Sequence, residues 1–248
     1  TGVQTCALPI LLHTPITNVE ELKFDLIGQL EAMERTDKVI IVIDSIGNVA
    51  SKKEMEDTMN EKSVADMSRA KALKGLFRMA TPYLAMKNIP SLAVNHTYME
   101  IGLFPKAIVG GGTGIYYSAD NIWIIGRRQN KKGTDVVGYD FVVNVDKSRY
   151  VKEKSKVPIT VSWDGGIEKW SGLLDVALES GHVRKPKNGW YQAINPETGE
   201  ELTQNLRAAQ TMNREFWENI FEGTDFPSYI EKRFKFATKD MIERTIEG

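Results

Sequence analysis

Residues 38–44 read Lys38-Val-Ile-Ile-Val-Ile-Asp44, a short run of β-branched apolar side chains that ends in a carboxylate. Because apolar and polar residues do not alternate in it, the run predicts a strand covered on both faces, as in the parallel sheet of an α/β domain. Ligands of such sheets bind beyond the carboxyl ends of the strands, which is where Asp44 stands. An aspartate there can hold a magnesium ion in a nucleotide site, with Ser45 beside it, or it can simply cap a turn.

The neighbouring segments repeat an order of helix followed by strand. A capping box precedes an amphipathic helix predicted over residues 18–35, and a second apolar stripe of helical spacing covers residues 64–80. A second buried strand, residues 91–94, ends at Asn95 and His96, so these side chains could face the same crevice as Asp44. This order predicts right-handed crossovers on a mostly parallel sheet with helices on both faces.

Two segments lack these patterns and are predicted to be loops. Residues 51–61 are polar and charged, with no apolar period. Residues 97–118 contain Gly110-Gly-Gly-Thr-Gly114 and predict a long mobile loop, a kind of segment that is often functional. Its glycines allow backbone amides to approach phosphates, but no Gly-Lys-Ser/Thr follows them, and a merely flexible loop is the simpler alternative.

The later part of the chain predicts antiparallel strands joined by short turns. Residues 121–125 and 139–145 form a predicted hairpin across the turn at residues 131–135, and Pro158 places the next strand, residues 157–163, at an edge or a bulge. Helices are predicted over residues 173–178 and 207–221. We therefore expect a core domain over residues 11–180 and an antiparallel C-terminal extension over residues 181–248.

Composition excludes several classes of protein. Lys and Arg number 32 and Asp and Glu 33, so the formal net charge of -1 gives no global attraction to nucleic acid or membrane. The single cysteine, Cys6, excludes an internal disulfide framework and a multi-cysteine zinc site, as expected for the cytoplasm. No apolar run approaches the roughly 20 residues that span a bilayer, so no membrane partner is expected.

The first ten residues, Thr1-Gly-Val-Gln-Thr-Cys-Ala-Leu-Pro-Ile10, contain no charge and do not begin with methionine. The codons ACT GGA GTT CAG ACG TGT GCT CTT CCG ATC encode this decapeptide and match a widely used sequencing adapter. We therefore expect residues 1–10 to be translated adapter, with the genuine protein entering near Leu11. A natural disordered N-terminus is the alternative.

Basic side chains are locally enriched in the second half of the chain. They could meet the phosphates of a nucleotide or of DNA, although a solvated face is the commoner reason for such a run. The residues are Arg127, Arg128, Lys131, Lys132, Lys147, Arg149, Lys152, Lys154 and Lys156.

Five segments, taken in order, resemble the RecA family of recombinases and its phage members. They are IIVIDSIGNVASKKEMEDTMNEK, NIPSLAVNHTY, VGGGTGIYYSADNIWIIGRR, NVDKSRYVKEKSK and WDGGIEKWSGLLDVALESGHVRKPKNGWY. The resemblance covers about Leu11 to Tyr191 and fades in the C-terminal tail. It implies a RecA-type P-loop ATPase core that uses ATP and Mg²⁺.

The resemblance also implies roles for residues of the nucleotide site. Asp44 matches the Walker B aspartate that holds the magnesium ion, with Ser45 following it. His96 stands where the family has a polar sensor that links the γ-phosphate to the second DNA-binding loop. Lys147 and Arg149 match basic residues that reach a neighbouring subunit's nucleotide, as an arginine finger supplied in trans does.

For DNA, the resemblance implies two binding loops, at residues 50–61 and 97–112. Gly111 and Gly112 match paired glycines that approach the DNA backbone. Positive loop residues could meet phosphates, and the candidates are Lys52, Lys53 and Lys106.

Two motifs of the family have no match in these residues: the Walker A motif and the catalytic glutamate that precedes the Walker B strand. We therefore expect the chain to be an N-terminally truncated portion of the protein, inactive by itself, and a second truncation at Gly248 is also conceivable. The segments around Asp44 and Gly110 argue against one rival, a hexameric RecA-fold helicase. A second rival is a non-catalytic accessory paralogue that binds DNA or recombinase.

The function implied for the complete protein is ATP-dependent DNA strand exchange in phage recombination, repair and replication. The expected partners are single-stranded and double-stranded DNA, further copies of the chain in a helical filament, and recombination mediator and single-strand-binding proteins. The expected location of this phage-encoded protein is the host cytoplasm.

Overall fold

A computed structural model describes residues 11–60, 67–103 and 105–236. The chain divides into two compact units, one ending at Ala119 and the other beginning at Asp120. Within the described residues, none of the helices combines the length and the hydropathy that a membrane crossing requires.

The first unit alternates helices with very short strands. Its elements are α1 (Val19–Ala32), β1 (Ile41–Ile43), a 3-10 turn (Ile46–Asn48), α2 (Lys52–Met59), α3 (Ser68–Lys87), β2 (Ser91–Ala93), β3 (Thr97–Met99), β4 (Ala107–Val109) and α4 (Thr113–Ser118). The helix predicted over residues 18–35, both predicted strands and the described part of the helix at residues 64–80 are therefore present. Val64 lies outside the described residues.

The N-cap of α1 lies one residue later than Thr17, the residue at which the predicted capping box begins. Asn18 is the N-cap, and its side-chain oxygen accepts a hydrogen bond from the backbone N–H of Glu21 at 2.8 Å. Thr17 donates to the Glu21 carboxylate from its hydroxyl at 2.7 Å and from its backbone N–H at 2.8 Å. Both hydrogen bonds lower the pKa of Glu21 because they favour the ionised carboxylate, and the bond from the hydroxyl has the larger effect.

Strands β1 and β2 form a parallel pair in which, among the described residues, only one side of β1 is buried and all of β2 is exposed. Ile41 lies opposite Ser91 and Ile43 opposite Ala93. The core of this unit combines β1 with α1, α3 and α4, whereas Val42 is 58% exposed and Leu92 49% exposed. The prediction of strands covered on both faces is therefore wrong for this chain. An apolar run shows that a strand can be buried, but neighbouring elements must supply the cover.

Both predicted loops contain regular structure. Residues 52–59 form α2, which begins at a capping box in which Ser51 accepts from the N–H of Glu54 and the Glu54 side chain accepts from the N–H of Ser51. The last residue of that loop prediction, Glu61, lies outside the described residues. In the other segment, β3 and β4 pair as an antiparallel hairpin, and α4 follows. The prediction of a long loop over residues 97–118 is thus wrong.

The second unit is built mainly on an antiparallel sheet. Its elements are β5 (Asn121–Lys132), β6 (Asp135–Ser148), β7 (Lys156–Ser162), β8 (Gly166–Ile167), α5 (Leu173–Ser180), β9 (Val183–Arg184), β10 (Trp190–Ala193), β11 (Leu206–Arg207), a 3-10 turn (Ala208–Thr211), α6 (Arg214–Gly223) and α7 (Phe226–Phe234). The sheet order is β5-β6-β7-β8, and β9, β10 and β11 form a smaller sheet.

The predicted hairpin, the strand at residues 157–163 and the helix at residues 173–178 are confirmed. The hairpin is longer than predicted and turns at Gly133, whose φ of 67° favours glycine. Pro158 pairs with Val142 on one side only, because β8 reaches β7 only at residues 161–162. The helix predicted over residues 207–221 is interrupted, because Asn213 caps a new helix by accepting from the N–H of Phe216 at 2.9 Å.

The prediction of a mostly parallel sheet is wrong for the described residues. Only the pair β1–β2 is parallel, and every other strand pairing is antiparallel. The fold is mixed α/β, with small sheets. The reason is local, since most of these strands are joined by turns too short for the crossover that a parallel pair needs.

Aromatic side chains form the core of the second unit. Trp217, Phe216 and Phe226 are buried, and the rings of Trp170 and Trp217 stack with centroids 6.3 Å apart. His182, only 2% exposed, lies against Phe226. One ring nitrogen of His182 contacts Asp225 at 2.9 Å and the other contacts Ser180 at 2.8 Å, so both polar atoms of the buried ring have partners.

Candidate functional site

Asp44 and His96 follow the two strands of the parallel pair. Beyond the strands the pairing continues, because the N–H of Val94 donates to the carbonyl of Ile43 and the N–H of Ile46 donates to the carbonyl of Val94, both at 2.9 Å. Asp44 and His96 therefore lie at the same edge of the sheet, as predicted from the strand ends. Asp44 is exposed, and its peptide bond to Ser45 is cis.

The ring of His96 lies against the 3-10 turn that follows Asp44. Its Nε2 is 3.1 Å from Oδ1 of Asn48, so in this orientation of the amide Nε2 carries the proton and donates. A β-carbon placed on Gly47 would lie 2.1 Å from Cδ2 of His96, so the ring occupies space that only glycine leaves free. The ring of His96 therefore contacts the segment after Asp44 directly.

Asn95 and His96 also connect β2 to the glycines. The side-chain N–H of Asn95 donates to the carbonyl of Gly110 at 2.7 Å, and the N–H of Gly110 donates to the carbonyl of His96 at 2.9 Å. A continuous hydrogen-bonded path therefore runs from Asn48 through His96 to Gly110.

Gly111 and Gly112 have the backbone geometry of glycine and pack against α3. Their φ angles are 88° and 80°. A β-carbon on Gly111 would lie 2.4 Å from Cδ1 of Ile115 and 3.0 Å from Cδ1 of Leu73, so a methyl group there would force these side chains to shift. This contact is within the protein, and it explains the glycine independently of any approach to DNA.

Arg69 is a site residue that the sequence did not reveal. From α3 its Nε donates to the carbonyl of Val49 and its Nη2 donates to the carbonyls of Ile46 and Gly47, each at 2.8 Å. The guanidinium therefore fixes the turn between Asp44 and α2. An arginine in an amphipathic helix carries no sequence signal for such a contact, because the partners lie more than 19 positions away.

The predicted DNA-contacting lysines lie on two elements of the first unit. Lys52 and Lys53 form the first turn of α2, where the N–H of Lys52 donates to Glu20 at 2.8 Å and Lys53 pairs with Asp57 at 3.7 Å. Lys106 is exposed beside the tip of the β3–β4 hairpin, and its carbonyl accepts from the N–H of Glu100 at 2.8 Å.

Lys147 and Arg149 belong to the second unit, at the end of β6. Lys147 is half-buried and lies opposite Ile122, whereas Arg149 is exposed just beyond the strand. The Arg149 Nε lies 2.9 Å from Oδ1 of Asp120. Both residues belong to the second unit, whereas Asp44 belongs to the first.

The donors at Asp44 fit one side of a magnesium shell. The exposed carboxylate and the neighbouring Ser45 hydroxyl are the hard oxygen ligands that Mg²⁺ prefers, and Mg²⁺ is usually held by one or two carboxylates together with phosphates. In the described part of the chain no three His, Cys, Asp or Glu side chains cluster as a metal site. An ion here would therefore depend on nucleotide phosphates for the rest of its ligands.

Comparison with known proteins identifies the relatives of this chain. It is 51% identical over 237 residues to the recombination and repair protein of Enterobacteria phage T4. The matched residues make up 94% of this chain and 61% of the T4 protein. The chain is a relative of the phage T4 protein UvsX. A family model described as the C-terminal domain of this T4 recombination and repair protein matches residues 170–230.

More distant relatives of this UvsX-like chain are bacterial RecA proteins. RecA of Rhodococcus opacus is 27% identical over 238 residues, which cover 94% of this chain and 62% of that protein. RecA of Syntrophus aciditrophicus is 28% identical over 155 residues, which cover 61% of this chain and 44% of that protein. The chain therefore spans less than two thirds of the length of these relatives.

Proposed function

We propose that the complete protein is an ATP-dependent DNA strand-exchange recombinase that acts in phage recombination, repair and replication. The observation that carries the proposal is that a chain 51% identical to the T4 recombination and repair protein brings Asp44 and His96 to one sheet edge. A carboxylate and a polar sensor on adjacent strand ends suit a nucleotide site that reports its state elsewhere.

In this proposal Asp44, with Ser45, holds the magnesium ion of the nucleotide. Binding of magnesium-bound ATP orders the protein, and hydrolysis of the ATP reverses that ordering. His96 reads the turn at residues 46–48 through Asn48 and passes the change to Gly110 along the hydrogen bonds of the strand end. The two-way contact makes DNA binding and nucleotide binding affect each other equally.

Single-stranded DNA would lie along α2 and the β3–β4 hairpin. Lys52, Lys53 and Lys106 are placed to meet phosphates, and Gly111 and Gly112 keep the backbone clear of side chains at the end of the hairpin. Contacts of this kind carry no sequence preference, which suits an enzyme that must accept any homologous strand. Double-stranded DNA would be the second substrate.

Lys147 and Arg149 would contact the nucleotide of an adjacent subunit. Cations supplied in trans stabilise charge on phosphates and make ATP binding favour assembly. Repetition of such a heterologous contact without closure builds a helical filament. Recombination mediators and single-strand-binding proteins would act on this filament in the host cytoplasm.

A second candidate function is a non-catalytic accessory protein that binds DNA or recombinase. This alternative and the recombinase differ in whether the complete protein turns over ATP.

The test uses the complete protein, expressed from a gene recovered and resequenced across the codon for Leu11. Asp44→Ala should lower single-stranded-DNA-stimulated ATP hydrolysis by more than about a hundredfold, the loss typical of a group that stabilises charge at a reaction centre. Asp164→Ala, in the exposed turn between β7 and β8, is the matched control and should leave turnover unchanged. Full turnover in Asp44→Ala would refute the role of Asp44, and no turnover in the unaltered protein would favour the accessory function.

A further inference from the structure

Asp120 and Arg149 form an ion pair at the point where β5 begins and β6 ends. The contact joins Nε of Arg149 to Oδ1 of Asp120 at 2.9 Å, and the two side chains are 64% and 54% exposed. Arg149 lies just beyond β6 with its planar guanidinium exposed, and that group carries two terminal nitrogens in addition to Nε. Such a fork can bind a second anion with its terminal nitrogens while its stem stays fixed.

The backbone beneath this pair is held by a buried hydroxyl. Ser148 is 7% exposed, and its Oγ donates to Oδ1 of Asn121 at 2.7 Å. The same oxygen accepts from the N–H groups of Tyr150 and Val151, both at 3.0 Å. The chain on both sides of Arg149 is thus tied to the first residue of β5, directly after Asp120.

The turn beyond Arg149 is anchored to α7. The N–H of Lys152 donates to the carbonyl of Phe234, and Nζ of Lys152 donates to the carbonyl of Lys232, both at 2.8 Å. With Ser148 on one side and Lys152 on the other, the Arg149 backbone has little freedom. The direction of its guanidinium is then set mainly by its own side-chain torsions and by Asp120.

We propose that Asp120 is a positioning residue that orients Arg149 before it meets the phosphates of a neighbouring subunit's nucleotide; this rests on the proposed function. An exposed ion pair contributes little to folding, so the stability of the fold alone gives weak reason for it. Orientation before binding lowers the entropy that an arginine loses when it engages a phosphate. Asp120 acts through Arg149 and does not itself contact the nucleotide.

Asp120 would have the opposite effect on phosphate binding if its main action were to neutralise Arg149. A carboxylate that mainly neutralises Arg149 would compete with phosphate, and removing it would strengthen the contact between subunits. The two effects differ in sign, so one series of variants in the complete protein decides between them.

The measurement is the ATP concentration that gives half-maximal hydrolysis at saturating single-stranded DNA, together with the Hill coefficient. Asp120→Ala should raise that concentration about two- to fivefold and lower the Hill coefficient, the size expected for an exposed ion pair. Asp120→Asn keeps an oxygen that can accept from Nε and should restore most of the loss. Asp135→Ala, at the exposed far end of the same hairpin, is the matched control.

A second comparison isolates the action through Arg149. In an Arg149→Ala background, Asp120→Ala should cause no further change, and thermal unfolding and nucleotide-free DNA binding should match the unaltered protein in both single variants. An unchanged or lowered half-maximal concentration in Asp120→Ala, or an equal effect without Arg149, overturns the inference. If the unaltered protein shows no DNA-stimulated turnover, the proposed function itself fails and this inference falls with it.

Discussion

Gly111 is the residue where backbone conformation and packing impose the same requirement. Its φ is 88°, and a β-carbon would lie 2.4 Å from Ile115. Gly111→Ala should therefore lower the free energy of unfolding by about 2–4 kcal/mol, combining left-handed strain with overpacking. Gly133→Ala is the matched control, because Gly133 shares the positive φ but has nothing within 4 Å of its β-carbon position. Urea unfolding of the 248-residue chain gives both values.

The difference between the two variants measures the packing contribution. We expect Gly133→Ala to cost only the backbone strain, about 1–2 kcal/mol. Equal losses in the two variants would mean that α3 and α4 adapt to a methyl group at no cost, and the internal explanation for Gly111 would then be wrong.

Individual site residues differ in how far the sequence could predict them. The position of Asp44 near His96 follows from two apolar runs and the rule that parallel strands end at the same edge. Arg69 and Asp120 could not be found in that way, because each contacts groups about 20 or more positions away through side chains with no periodic signal. His182 is similar, since its ring contacts Asp225, 43 positions later.

Among the elements, α3 and the turn after β1 are joined by hydrogen bonds from Arg69. Arg69→Met keeps most of the apolar stem but removes hydrogen bonds to the carbonyls of Ile46, Gly47 and Val49. Bonds of this charge-assisted kind contribute about 1.5–3 kcal/mol each at most, and water can replace part of them here. We expect a loss of about 2–3 kcal/mol in the free energy of unfolding, together with faster hydrogen exchange of the amides at residues 46–48.

Two further variants make the Arg69 prediction specific. Arg69→Lys keeps the charge without the planar fork. Its free energy of unfolding should lie between those of the unaltered protein and Arg69→Met, because one ammonium cannot bind the separated carbonyls with the same geometry. Arg78→Met, on an exposed position of the same helix, should change stability by less than about 0.5 kcal/mol. A loss in Arg78→Met as large as that in Arg69→Met would show that the effect belongs to the helix rather than to the contact.

The elements that the sequence predicted well have long or strongly patterned apolar stretches. Helix α1 and strands β5 and β6 are examples, since each presents a repeated face to its neighbours. Helix α2 has no buried residue, so periodicity could not reveal it, although Ser51 and Glu54 have the spacing of a capping box. Strands β3 and β4 are only 3 residues long and exposed or half-buried, and their pairing is set by contact rather than by pattern.

At the scale of the whole molecule, the parallel pair β1–β2 stands out because apolar side chains on it are exposed. Its uncovered face carries Val42 and Leu92, and the relatives are longer than this chain, which spans 61% of the T4 protein. In a complete protein of that length we expect the face to be covered. The amides of residues 41–43 and 91–93 should then exchange with solvent more slowly in the complete protein than in the 248-residue chain.

ATP hydrolysis by the 248-residue chain depends on the phosphate and metal ligands that its own residues supply. Asp44 can supply only one side of a magnesium shell, and no Gly-x-x-x-x-Gly-Lys-Ser/Thr is available to hold the phosphates. The purified 248-residue chain should therefore hydrolyse ATP no faster than its own Asp44→Ala variant, with or without single-stranded DNA. Turnover that depends on both DNA and Asp44 would show that the carboxylate works without a phosphate loop. If the recovered gene adds that loop in frame and activity appears with it, Asp44 acts as proposed; if a start codon lies near Leu11, binding to DNA or to a recombinase becomes the better account of this protein.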